Sequence, residues 1–76
     1  MPHVDIKCLP RNLTEQQLAA LADDITAALV KHLGTTDDAV SVALNEIPSE
    51  KWKGDVYDTI IKPHLAELIK KPGYQY

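Results

Sequence analysis

Residue 2 of the chain is a proline directly after Met1. Methionine aminopeptidase removes an initiating methionine when the next residue is small, and proline qualifies. Removal of Met1 turns Pro2 into a secondary amine; with Met1 attached the same nitrogen is an amide and has no basicity. A free α-amino group titrates near ~7.7–8.0 in peptides, and apolar surroundings lower that value by disfavouring the charged form. A base poised near neutrality suits proton transfer at carbon. The plainer alternative is that Pro2 only opens an edge strand, and the residue by itself leaves both open.

Other residues offer less. Arg11 is the sole arginine and Trp52 the sole tryptophan. A guanidinium can recognise a carboxylate, or be simply solvated. Trp52 can be core, interface or pocket wall. Cys8, the sole cysteine, falls at an inward strand position, where a thiol is a small hydrophobe before it is a nucleophile. His3, His32 and His64 are scattered, and no Cys/His cluster has zinc spacing, so no metal is expected. Asp23–Asp24 and Asp37–Asp38 suit capping or solvated roles.

The elements that would position these groups are legible as periodicity. From His3 to Leu9 the chain alternates, with Val4, Ile6 and Cys8 on one face and His3, Asp5 and Lys7 on the other. Period two predicts a half-buried strand, ended by Pro10, which has no N–H for a ladder. Thr14 and Gln17 have capping-box spacing. Leu18, Leu21, Ala22, Ile25, Leu29 and Leu33 then recur at helical spacing. Gly34 is the natural terminator, so a helix is predicted over 14–33. A second strand is predicted over Val40–Ile47, with Val40, Val42 and Leu44 on one face, closed by Pro48. Strand, helix and strand make one β-α-β unit whose crossover is long enough for parallel strands. Residues 49–54 read as a loop. Val56, Ile60, Ile61, Leu65, Leu68 and Ile69 form a second helical pattern, which Pro63 should kink near Lys62. The fold class is α+β, in a single domain of residues 1–76.

Composition bounds the rest. The chain has 76 residues, 45% hydrophobic and 25% charged, with net charge −3. No basic surplus points to nucleic acid or an anionic membrane, and no apolar run is long enough to span a bilayer. Residues 2–17 lack the apolar stretch of a signal peptide. With a lone cysteine, that gives a cytoplasmic expectation. So short a chain makes a marginal core, and two strands backed by one helix leave a face and edges open. Pairing of two copies into a four-stranded sheet is therefore expected. A homodimer is preferred over a hexamer because the second helix and the GYQY tail would cover a stacking surface.

Met1-Pro2, the alternating strand, the capped helix with Glu15-Gln16 at its start, and the second strand resemble the 4-oxalocrotonate tautomerase family. With IKCLPR near the start and LIKKPGY near the end, the chain is similar to that family's bacterial phenylpyruvate-type branch. The resemblance implies that Pro2, freed of Met1, is a general base. It would move a proton between the enol and carbon of one substrate, a small 2-hydroxydienoate or arylpyruvate-like enol, without a cofactor. It also implies substrate contacts from Leu9, Arg11, Val40, Ser41 and Trp52. The founding branch carries two arginines where this chain has Asn12 and Ser41, and Arg11 stands one place early. A monoacid with an aryl or apolar tail is thus expected in place of a dicarboxylate. The competing expectation is a non-catalytic binding or scaffold domain that keeps the fold.

Overall fold

The computed structural model describes residues 1–76. Strand β1 (His3–Cys8), helix α1 (Glu15–Leu33) and strand β2 (Ser41–Glu46) form the β-α-β unit. The strands pair in parallel, from His3 opposite Ser41 to Cys8 opposite Glu46. Each is slightly shorter than its hydrophobic pattern. Leu9, Val40 and Ile47 fall just outside, although the Ile47 N–H still donates to the Cys8 carbonyl at 2.8 Å.

The two faces of the sheet differ as the alternation requires. Ile6, Val42 and Leu44 face α1, and with Leu18, Leu21 and Ala22 they line an open groove of about 680 Å³. The opposite face carries a polar network. His3 Nδ1 and Ser41 Oγ share a hydrogen bond of 2.6 Å, and Asp5 accepts from Asn45 Nδ2 and from Lys7 Nζ, each at 2.6 Å.

Helix α1 is bounded by the signals in its sequence. Gln17 N–H donates to Thr14 Oγ1 at 3.1 Å, and Thr14 N–H donates to Gln17 Oε1 at 2.9 Å. That reciprocal pair satisfies two N–H groups that the first turn would otherwise leave bare. Gly34 ends the helix in the left-handed region (φ 67°, ψ 25°), where a residue without Cβ is unstrained. Asn12, in the β1–α1 connection, also has positive φ (53°), a conformation asparagine tolerates better than most residues.

The C-terminal half departs from the loop expected over 49–54. Helix α2 begins at Ser49, directly after Pro48, with Lys51 N–H donating to the Pro48 carbonyl at 2.9 Å. Pro48 and Gly54 suggest breaks in the sequence. Pro48 instead precedes the first turn, where a missing N–H costs nothing, and Gly54 lies within a wider winding. After Trp52 the helix becomes π over Lys53–Ile61, with Lys62 N–H reaching back to the Tyr57 carbonyl, then 3₁₀ over Lys62–Glu67. The expected kink is present: His64, after Pro63, leaves helical geometry (φ −118°, ψ 19°). Leu68 is extended (ψ 132°), so it and the fully exposed Ile69 lie beyond the helix their pattern suggested.

Only Val56 and Tyr57 are buried. The chain exposes 6000 Å², against about 4,600 Å² for a compact monomer of its mass. Its radius of gyration is 14.1 Å, against about 11 Å for a compact domain of this length.

Candidate functional site

Pro2 precedes the first residue of β1 and is half-buried, while Met1 is fully exposed. Its carbonyl accepts a hydrogen bond from the Ser41 N–H at 3.2 Å. The partner strand is delivered by a single 3₁₀ turn, Asp37–Ala39, held by Ala39 N–H to the Thr36 carbonyl (3.1 Å) and Val40 N–H to the Asp37 carbonyl (3.2 Å). Val40 leaves that turn extended and half-buried. Pro2, Val40 and Ser41 thus meet at the start of the two parallel strands. The Ser41 hydroxyl is occupied by His3.

Leu9, Arg11 and Trp52 lie at the other end. Seven residues of extended chain separate Leu9 from Pro2, or about 23 Å. Leu9 and Trp52, with Tyr74, Gln75 and Tyr76, line a pocket of about 390 Å³. Trp52 Nε1 donates to Tyr74 Oη at 2.9 Å. Tyr57 packs against Tyr74 and, edge-on, against Tyr76, with ring centroids 5.8 and 4.9 Å apart. Arg11 is exposed, with its backbone N–H on Glu46 Oε2 at 2.8 Å, and its guanidinium takes part in none of the chain's ion pairs. That cation is available to an anionic group.

One chain therefore divides the six residues singled out in the sequence into two sets at opposite ends of β1. The pocket wall from Tyr74 to Tyr76 lies outside those six residues. Its only sequence signal is a pair of tyrosines after a Pro-Gly turn, which read as a covering tail.

Two charges are tuned nearby. Hydrogen bonds from Lys7 and Asn45 hold the Asp5 carboxyl below the usual carboxylate range, and the hydrogen bond to Asp58 raises Lys53. No group of three His, Cys, Asp or Glu side chains is placed to hold a metal ion. No helix is long and apolar enough to cross a membrane.

The family model described as "Tautomerase enzyme" matches residues 2–57. The chain is 57% identical over 76 residues, all of both chains, to Tautomerase PptA of Pectobacterium carotovorum subsp. carotovorum (strain PC1). It is 54% identical over 74 residues, 97% of both chains, to Tautomerase PptA of Escherichia coli (strain SMS-3-5 / SECEC). Among solved structures it is similar to TomN, a 4-oxalocrotonate tautomerase homologue of the tomaymycin biosynthetic pathway. There the TM-score is 0.59 and the identity 37%, over 67% of this chain and 77% of that one. DmpI from Helicobacter pylori matches with TM-score 0.57 and 28% identity, over 63% and 79%.

Proposed function

Because the chain belongs to the tautomerase family, and is thereby an isomerase, we propose that it interconverts the enol and keto forms of a small 2-oxo monoacid, with Pro2 as general base once Met1 is removed. The Ser41 N–H to Pro2 carbonyl bond carries this proposal. It fixes the residue through its carbonyl side and leaves the nitrogen as the group that loss of Met1 converts from amide to amine.

The chemistry needs no cofactor. The neutral Pro2 amine accepts the proton of the enol hydroxyl and becomes a secondary ammonium. The enol oxygen's electrons form the carbonyl while the carbon–carbon double bond takes the proton back from Pro2 at carbon. The base is regenerated and nothing is consumed. Arg11 would hold the substrate carboxylate, Leu9 would contribute through its backbone, and Val40 and Ser41 would line the Pro2 end. Trp52 would face the tail. Asn12 and Ser41, where the founding branch has arginines, leave one cation for one carboxylate. Fewer cations near Pro2 also remove a repulsion that lowers an amine's pKa, so more depends on apolar surroundings to keep it neutral.

Separation of the two residue sets supports a homodimer. If two copies pair edge to edge with strands antiparallel, the Pro2 end of one meets the Leu9, Arg11 and Trp52 end of the other, twice by symmetry. Surface area supports the same assembly: burying the surplus of about 1,400 Å² from each chain exceeds an ordinary interface of about 1,600 Å² in total. The hydrogen-bonded polar face of the sheet (Asp5 with Asn45 and Lys7) would lose water on stacking, which disfavours a hexamer built through that face. Residues 1–76 act in this proposal as one domain, and the unpaired Cys8 suits a reducing, cytoplasmic setting.

The test is turnover of phenylenolpyruvate by protein of verified mass, with and without Met1. Activity is expected only in the form lacking Met1. Equal rates for both forms would remove Pro2 as the base.

A further inference from the structure

We infer that Tyr74 and Tyr76 determine substrate specificity: with Leu9 and Trp52 they form an aromatic slot for the aryl-sized tail of the substrate monoacid. This deepens the tautomerase proposal and rests on it.

The slot has the size and chemistry for a ring. Its volume of about 390 Å³ lies within the range of small-ligand pockets, about 300–1,000 Å³. Leucine, tryptophan and two tyrosines make up all but one of its lining residues. The indole N–H of Trp52, the obvious donor, is already given to Tyr74 Oη at 2.9 Å. What Trp52 has left to offer a ligand is its ring.

The wall is also built in advance. Tyr57 is buried, and it anchors both Tyr74 and Tyr76 through ring contacts, while those two rings pack edge-on at 6.0 Å. The π winding explains how Trp52 and Tyr57 hold one residue between them. They are five positions apart, which in an α-helix would set them about 140° apart around the axis. In the π register five residues close one hydrogen-bonded turn, and both side chains meet Tyr74.

Charge around the slot favours a tail without a second carboxylate. Lys53 lies 6.0 Å from the Tyr76 ring centroid, but its ammonium is bonded to Asp58 at 2.8 Å. It is therefore spoken for. The family match ends at Tyr57, so Tyr74 and Tyr76 add a wall from chain beyond it.

Binding and turnover separate this inference from the one beneath it. In calorimetry on the full chain lacking Met1, 3-phenylpropanoate should bind more tightly than propanoate, and Tyr74→Ala or Tyr76→Ala should cut that preference about tenfold, the scale of a hydrophobic-pocket contact. Tyr74→Phe, which keeps the ring and removes only the acceptor for Trp52, should cut it by less. In turnover, the preference for an aryl over an aliphatic enol should fall in the same order, through KM. An unchanged preference in Tyr74→Ala and Tyr76→Ala overturns the slot. So does equal loss of both probes accompanied by dissociation in sedimentation, which would make this surface the seat of a second copy. Selective binding without turnover in the unmutated protein would leave the slot standing and remove the tautomerase proposal.

Discussion

The N–H of Ser41 donates to the carbonyl of Pro2 at 3.2 Å, so the first residue of β2 fixes the second residue of the chain. The bond engages only backbone atoms, and substitution at Pro2 can remove the amine ring without removing the anchor.

Pro2→Ala, which replaces the ring-held secondary amine with a freely rotating primary one, is accordingly expected to lower kcat/KM by up to about 10²–10⁴, the whole contribution of a positioned base, with the far-UV circular dichroism unchanged. Steady-state kinetics on an aryl enol, after mass verification, check it. A variant within a few-fold of the parent would show that the pyrrolidine ring is dispensable, because the variant still carries an N-terminal α-amine once Met1 is removed.

The separation of Pro2 from Trp52 along β1 leads to a complementation experiment. Pro2→Ala chains and Trp52→Ala chains, unfolded together and refolded, should form mixed pairs in which one site has an intact Pro2 and an intact Trp52. Activity on the aryl enol should exceed the sum of the two variants refolded separately. Strict additivity would mean that each chain holds a complete site.

The capping box at Thr14 gives a stability prediction. Thr14→Ala leaves the Gln17 N–H without its acceptor, and should cost about 1 kcal/mol. Urea unfolding at fixed chain concentration measures it.

Asp5 gives a pH dependence. Its folded pKa lies below the ordinary value because Lys7 and Asn45 bond the carboxylate. Its stabilisation is therefore fully present above the unfolded pKa, near ~3.9, and is lost as pH falls through the lower folded value. Unfolding measured at near-neutral and at acidic pH should show a smaller acid loss in Asp5→Asn than in the parent. The difference should shrink in high salt, since the group is exposed. Parallel pH profiles would show that the network carries no linkage.

Much of the β-α-β unit is written locally. Thr14, Gln17 and Gly34 bound α1 through contacts spanning three or four residues, and the alternation of β1 separates its apolar from its polar face. The start of α2 was hidden because Pro48 and Gly54 break helices in most settings, and only the tertiary position of the segment makes them harmless. The π winding leaves no periodicity that distinguishes it from a weak α pattern. For the site, the family resemblance named Pro2, Leu9, Arg11, Val40, Ser41 and Trp52, but their division between two ends follows only from strand register. The Trp52–Tyr74 hydrogen bond joins residues 22 apart with no local signal, and so in the sequence Tyr74 and Tyr76 are indistinguishable from a covering tail.

A molecule with only Val56 and Tyr57 shut away from water has little fold to keep when alone. If two copies complete each other as proposed, folding and association are one equilibrium, and the apparent melting temperature rises with chain concentration. Dilution then acts as a denaturant. Below the dissociation constant of the pair, the shape of the protein and its chemistry are lost in the same step.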